Sequence, residues 1–236
     1  MKIWGFWATL GWAVLAFVVG QFGALGLCIW WRPGSLQTLM ATPFDGAFVT
    51  VILLISNPIT IAVIVFAVSR ARADLSDYLA IKWPQRRDIA IGLVSLIILI
   101  ALSDALLYFG GETLVTPFQL QSYNTAEAEG WLAAMLVATI VVAPAGEEVL
   151  FRGFLFRGWA RSQRTVWPAI VVISLLWAAL HVQYDWAGIL QIFVVGLYLG
   201  WLRWRSGSML LTFVLHALFN AEGTMETFVQ LHVLAH

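Results

Sequence analysis

The stretch WLAAMLVATIVVAPAGEEVLFRGFLFRGW, residues 131–159, is apolar enough to cross a membrane, yet it carries two adjacent carboxylates and an arginine. A membrane-spanning helix needs about 20 predominantly apolar residues, and this stretch is longer than that. Burying Glu147, Glu148 and Arg152 is costly for each ionisable group. The stretch therefore predicts a transmembrane helix and, on the same helix, a polar site.

The rest of the chain has the composition of a multi-pass membrane protein. Of its 236 residues, 61% are hydrophobic and 11% are charged, and the mean hydropathy is +0.87. Soluble domains carry about 25% charged residues. Lys+Arg and Asp+Glu balance at 13 each, so the net charge does not indicate a nucleic-acid partner. The single cysteine, Cys28, excludes an internal disulfide bond and is predicted to face lipid.

Seven apolar stretches predict seven spans in an all-α bundle. They are residues 3–31, 47–69, 89–110, 131–159, 166–181, 186–204 and 210–221. Residues 224–234 are apolar but short, so they form either an eighth, partial helix or an interfacial tail. We divide the chain into N-terminal helices and loops, residues 1–130, and a C-terminal catalytic core, residues 131–236, within one integrated membrane domain. The predicted fold is a polytopic transmembrane bundle of about seven to eight helices with an intramembrane polar cavity.

The basic residues predict the orientation of the bundle. Lys and Arg cluster after the second, fourth and sixth spans, in residues 70–88, 152–164 and 203–205. Residues 111–130 contain none. Because cytoplasmic loops are enriched in Lys and Arg, we expect a cytoplasmic amino terminus, which leaves only Arg32 outside. The protein is then an integral multi-pass protein of a bacterial or archaeal plasma membrane, with its last span running outward.

Two further stretches place polar residues at membrane depth. LLWAALH ends at His181, and FVLHALFN contains His216 and Asn220. At 1.5 Å per helical residue, Glu147, His181 and His216 lie about 15–21 Å from the predicted cytoplasmic ends of their helices. Three helices therefore bring Glu, His and His to a similar level. His216 and Asn220 are four residues apart and share one helix face.

Each of these residues also has a purely structural interpretation. Glu148 and Arg152 are spaced i,i+4 and could form a buried ion pair. Glu147 points about 100° away, so the same arginine cannot easily serve both carboxylates. A single buried histidine is usually hydrogen-bonded, and His216 with Asn220 could link helices. Packing alone does not explain Glu, His, His and Asn together on three hydrophobic helices.

Peptide hydrolysis would use such a set. It needs an activated water, a proton donor for the leaving amine and groups that hold the oxyanion. A glutamate can be the base while a histidine orients the same water, and a second histidine with an asparagine amide can hold the oxyanion. Alternatively, Glu147, His181 and His216 could bind Zn²⁺ and leave one position for water, although an HExxH signature is absent. Metal-bound and metal-free water both stay open, so the cofactor is either none or zinc.

Three short motifs follow one another within residues 131–222: Glu147-Glu148-x-x-x-Arg152, Trp177-x-x-x-His181 and His216-x-x-x-Asn220. In order and spacing they resemble the three motifs of the CPBP family. That family contains the type II CAAX prenyl endopeptidases and the bacterial Abi proteins linked to bacteriocin handling. The second motif usually begins with Phe, and Trp177 is a conservative departure from it.

The resemblance implies an eight-helix-type membrane bundle whose water-filled cavity opens toward the cytoplasm. It implies that Glu147 and His181 activate water and that His216 and Asn220 stabilise the oxyanion. The implied catalytic set is Glu147, Glu148, His181, His216 and Asn220, supported by Arg152 and Trp177. The implied substrate is a membrane-associated protein or peptide at the lipid bilayer, with no nucleic acid involved.

Two other classes of function stay open beside an intramembrane endopeptidase. The protein could be a non-catalytic immunity or secretion scaffold with a vestigial site. It could also be a proton-coupled transporter that uses Glu and His as a relay. Transporters often have repeated halves, and this sequence shows no internal repeat.

Overall fold

The computed structural model describes residues 3–31 and 44–234 of the chain, and within them it contains nine helices and no strand. The helices are α1 (Phe6–Trp31), α2 (Gly46–Arg70), α3 (Leu75–Leu79), α4 (Arg86–Gly110), α5 (Pro117–Ala128), α6 (Leu132–Trp159), α7 (Gln163–Ala179), α8 (Trp186–Ser206) and α9 (Met209–His232). The predicted all-α bundle is confirmed. Lys2, Arg32 and His236 lie outside the described residues.

Five of the described helices, α1, α2, α4, α6 and α8, are long and apolar enough to cross a membrane. Helix α7 is apolar but shorter, at 17 residues, and α9 is long but carries several polar side chains. The protein is therefore an integral membrane protein, as predicted. Helix α9 continues without a break through residues 224–232, so the predicted eighth helix or interfacial tail is instead the second half of the seventh predicted span.

A row of small residues on α1 faces the bundle. Ala16, Gly20, Ala24 and Cys28 are four residues apart and all buried. A Cβ on Gly20 would lie 2.4 Å from the Thr60 hydroxyl oxygen on α2, so the two helices meet closely there. Cys28 is only 3% exposed, which makes its predicted lipid-facing position wrong. It belongs to this row rather than to the lipid surface of α1.

Helix α8 packs against α7 through a second small-residue pair. Gly196 and Gly200 are spaced as in a GxxxG motif, and a Cβ on either would lie 2.8 Å from an α7 side-chain atom. The close approach fixes α8 against the helix that carries Trp177.

The N-terminal and C-terminal parts of the chain share one hydrophobic core. Ile64 on α2, Phe154 on α6, Leu199 on α8 and Leu215 on α9 are all at most 1% exposed and belong to one cluster. Helix α6 runs through this cluster, so the polar residues that it carries lie among tightly packed neighbours.

Candidate active site

The part of α6 that carries the carboxylates is an α-helical piece between two π-helical pieces, Ala138–Val142 and Val149–Leu155. In the first of these, the Ala143 N–H donates to the Ala138 carbonyl, and Pro144 has no N–H to donate. The Thr139 carbonyl is therefore left for another donor, and the Asn220 side-chain amide supplies it at 2.8 Å. Asn220 thus joins α9 to α6, with one amide N–H engaged and the other left for a second acceptor.

Glu148 and Arg152 form a buried ion pair. The Arg152 Nη1 lies 2.8 Å from the Glu148 Oε1, and the two side chains are 1% and 0% exposed. The guanidinium carbon also lies 4.4 Å from the centre of the Trp177 ring, in cation–π contact. The structure thus forms the ion pair that the i,i+4 spacing made possible.

His216 lies between the two carboxylates of α6 and is hydrogen-bonded to one of them. Its Nδ1 lies 2.9 Å from the Glu148 Oε1, and because a carboxylate paired with arginine is an acceptor, Nδ1 carries the proton and donates. Its Nε2 lies 3.9 Å from the Glu147 Oε2. The buried ion pair therefore sets the orientation of the imidazole.

Glu147 is the carboxylate with access to solvent. Its side chain is 24% exposed, against 0% for Glu148. The Trp177 indole Nε1–H donates to the Glu147 Oε2 at 2.5 Å. No described residue donates a hydrogen bond to the Oε1 atom, which leaves that oxygen for a water or substrate group. A phenylalanine at position 177 could not make this bond.

His181 lies just beyond the end of α7. Its Nδ1 is 2.8 Å from the Trp177 carbonyl oxygen, which only accepts, so Nδ1 carries a proton. In the neutral ring the Nε2 lone pair then stays available to a water. Trp177 therefore contacts both histidines, since its ring centre lies 5.2 Å from that of His181 and 5.1 Å from that of His216.

Most of the predicted site residues line a cavity of about 400 Å³. That volume falls within the common range for ligand sites. Its wall includes Glu147, Trp177, His181, His216 and Asn220. Glu148 and Arg152 are not in the wall; they lie behind it and contact its residues. Five of the seven predicted site residues thus meet at one surface, and the other two support them.

Tyr184 also lines the cavity, and no sequence motif marked it. It lies in the turn between α7 and α8, where its N–H donates to the His181 carbonyl at 3.1 Å. Burial, and then the negative charge of Glu147, raise the pKa of the Tyr184 hydroxyl to about 12. The hydroxyl therefore stays protonated and can donate a hydrogen bond over the whole neutral range.

Gly146 is a second residue that the motifs did not explain. A Cβ at this position would lie 2.1 Å from the Asn57 Oδ1 on α2. Only glycine allows α2 to pack this closely beside Glu147. The contact depends on tertiary packing, so it could not be predicted from either residue in the sequence.

The predicted zinc ligands do not have the spacing of a metal site. Donor atoms around tetrahedral zinc lie about 3.3 Å apart, given metal–ligand bonds of about 2.0 Å. Among the described residues, the group of three that brings its ligand atoms within 4.8 Å of one another is Asp104, Glu222 and Glu226. The set of Glu147, His181 and His216 does not, so these residues do not fit zinc in this arrangement.

Comparison with known proteins gives one family match, over the region that carries the site. Residues 129–221 match the family model described as "Type II CAAX prenyl endopeptidase Rce1-like". An "Uncharacterized 24.3 kDa protein" from Escherichia coli is 37% identical over 83 residues, which are 34% of this chain and 38% of that protein. The similarity thus spans well under half the length of that relative. No solved structure gives a significant match.

Proposed function

We propose that this protein is an intramembrane endopeptidase, a proposal supported by the match of residues 129–221 to the family model "Type II CAAX prenyl endopeptidase Rce1-like". It hydrolyses a peptide bond of a membrane-associated protein or peptide, with water activated by Glu147. The observation that carries the proposal is the contrast between two adjacent carboxylates. Glu148 is neutralised behind the wall by Arg152, whereas Glu147 reaches a cavity that also contains two histidines.

Glu147 is the base in this mechanism. Trp177 holds its Oε2, and the Oε1 accepts a proton from a water that His181 orients through Nε2. The resulting hydroxide attacks the carbonyl carbon of the scissile bond and forms a tetrahedral oxyanion. When the C–N bond breaks, Glu147 returns the proton to the leaving amine, so that protons and charges balance over the cycle.

Two neutral donors are available for the oxyanion. Asn220 has one amide N–H left after its bond to Thr139, and Tyr184 has a hydroxyl that keeps its proton. His216 has committed Nδ1–H to Glu148, so it donates from Nε2 only as an imidazolium. Loss of one oxyanion donor typically lowers kcat by about 10²–10³-fold.

The reaction in this proposal needs no metal, since the three candidate ligands do not converge on one point. A chelator should therefore leave turnover unchanged in the purified protein. Turnover that is lost on chelation and restored by zinc would contradict the metal-free mechanism.

The test of the activity compares wild type with Glu147→Gln, each purified and reconstituted in lipid, on a peptide library. Glu147→Gln should abolish hydrolysis while the protein keeps its thermal stability. Glu129→Gln is the matched control because Glu129 is exposed and lies outside the cavity wall. A Glu147→Gln protein within a few-fold of wild-type turnover would exclude Glu147 as the base.

The orientation of the protein is part of the proposal. The distribution of Lys and Arg supports a cytoplasmic amino terminus in the plasma membrane of a bacterium or archaeon. The bilayer and a polypeptide substrate are then the partners of the site.

A further inference from the structure

The cavity runs from the middle of the helix bundle to one end of it. Its wall includes residues from the start of α2 and α8, from α6 as far as Glu147, from the end of α4 and α7, and from residues 216–227 of α9. The turn after α4 and the first part of α5 complete it. Because successive spans run in opposite directions, all these helix ends belong to the same side of the membrane.

The basic residues lie at the other end. Apart from the buried Arg152, every Lys and Arg among the described residues belongs to helix ends and turns away from the cavity. They are Arg70, Arg72, Lys82, Arg86, Arg87, Arg157, Arg161, Arg164, Arg203 and Arg205. Basic residues mark the cytoplasmic side of membrane proteins. The cavity therefore faces away from the cytoplasm.

The positions of the cavity and the basic residues make two predictions from the sequence incompatible. A cytoplasmic amino terminus follows from the basic residues, and a cavity opening toward the cytoplasm followed from the family resemblance. In the structure the cavity and the basic residues are at opposite ends, so both expectations cannot hold. The distribution of basic residues is a property of this chain, whereas the cytoplasmic opening was implied only by the family resemblance. We therefore base the orientation on the basic residues.

Carboxyl groups also line the cavity. Its wall contains Glu112, Glu147, Asp185, Glu222 and Glu226 and, among the described residues, no Lys or Arg. The carboxylates of Glu222 and Glu226 come within 4.8 Å of that of Asp104 on α4. A peptide with basic side chains would supply the opposite charge that this wall lacks.

We propose that the cavity opens on the extracytoplasmic side and takes a basic polypeptide segment from that side of the membrane. This inference rests on the proposed endopeptidase function and names its substrate class. The substrate is a chain whose cleaved segment lies at the extracytoplasmic surface with Lys or Arg close to the scissile bond. The ionised carboxylates in the wall attract such a segment and repel an acidic one.

The first test determines the side of the membrane without using activity. Single cysteines are placed in a Cys28→Ala background, one as Thr113→Cys in the cavity wall and one as Gln163→Cys at the basic end; both positions are exposed. A membrane-impermeant maleimide should label Thr113→Cys in intact cells and Gln163→Cys only after permeabilisation. The reverse labelling would overturn the proposal and leave the hydrolytic role of Glu147 untouched.

The second test measures charge selectivity by binding, so it does not depend on turnover. Two fluorescent decapeptides, which differ only in a Lys-Lys or Glu-Glu pair, are titrated into the Glu147→Gln protein in lipid nanodiscs. The basic peptide should bind at least about tenfold more tightly at low salt, and added salt should reduce the ratio. The double variant Glu222→Gln/Glu226→Gln in the same background should bring the ratio toward one. Equal binding of the two peptides, or a ratio that the double variant does not change, would overturn the selectivity.

Discussion

Replacing Arg152 by alanine removes one partner of the buried ion pair and leaves the other without its counter-charge. The Arg152 and Glu148 side chains are 1% and 0% exposed, and their closest atoms are 2.8 Å apart. With the guanidinium removed, the Glu148 carboxylate keeps hydrogen bonds from His216 and Thr212 but has no arginine to balance its charge. Breaking a buried pair in this way costs about 3–5 kcal/mol of folding free energy.

The expected effect is large enough for a thermal assay. For a chain of this size, each kcal/mol corresponds to about 2–4 °C in Tm, so Arg152→Ala should lower Tm by about 6–20 °C. Unfolding of the protein in nanodiscs, followed by intrinsic fluorescence, measures the shift. Arg164→Ala is the matched control, since Arg164 is exposed and should change stability by less than about 0.5 kcal/mol.

A double variant separates the charge from the packing. Arg152→Met with Glu148→Gln removes both charges and keeps most of the buried volume, so it should be more stable than Arg152→Ala. If Arg152→Ala melts at the wild-type temperature, or if the double variant is the less stable of the two, the loss of stability does not come from an uncompensated charge on Glu148.

Four further outcomes follow from the site. Gly146→Ala should reduce both stability and turnover, because its new Cβ would lie 2.1 Å from a side-chain oxygen of α2. Gly26→Ala is the control, since a Cβ there meets nothing within 4 Å, and melting and activity assays of both variants should show a loss for Gly146→Ala alone. Trp177→Phe keeps an aromatic ring but deletes the N–H that donates to the Glu147 carboxylate, so kcat should fall at unchanged KM and Tm, and one strongly downfield indole proton should vanish from the NMR spectrum. A lower Tm with unchanged kcat would mean that Trp177 serves packing alone. Asn220→Ala should lower kcat by about 10²–10³-fold at nearly constant KM, whereas a change confined to KM, or unfolding, would identify it as a link between helices. Titration of tyrosinate absorbance in wild type and Tyr184→Phe should show one phenol that ionises near pH 12 instead of 10. Because the pKa of Tyr184 is raised in the folded state, it stabilises the fold below pH 10, and this contribution is lost as the pH rises from about 10 to about 12. A difference spectrum that appears near pH 10 would refute this.

The helices could be predicted well because apolar length is a local property of the sequence. The predicted span 47–69 is α2 (Gly46–Arg70), and the span 186–204 is α8 (Trp186–Ser206). The errors arose where tertiary contacts decide. Cys28 lies in an apolar stretch that suggests a lipid-facing position, but it belongs to a row of small residues and is buried in the bundle. The end of α9 was harder, because its polar residues face a cavity that apolar length does not reveal.

The site could be predicted as a set of residue types but not as a geometry. The spacing of Glu148 and Arg152 on one helix face was enough to suggest their pair. The bond from the Trp177 indole to Glu147 joins residues 30 positions apart, and the place of Tyr184 depends on a turn between two helices. Such contacts need the relative placement of helices, which periodicity does not contain. The same reason explains why the opposite positions of the cavity and the basic residues could not be predicted from the sequence.

The π-helical piece Ala138–Val142 also affects how the chain tolerates changes in length. A π turn contains one residue more than an α turn, while the helix on either side keeps its direction and its buried face. Removal of one residue from this piece would return it to α-helical spacing without rotating Glu147 away from the cavity. If the residue removed is one of residues 140–142, Pro144 then stands four positions after Thr139 and has no N–H, so the Thr139 carbonyl stays available to the Asn220 amide. The link between α6 and α9 therefore depends on Pro144 rather than on the extra residue, and this part of α6 should tolerate the loss of one residue at positions 140–142.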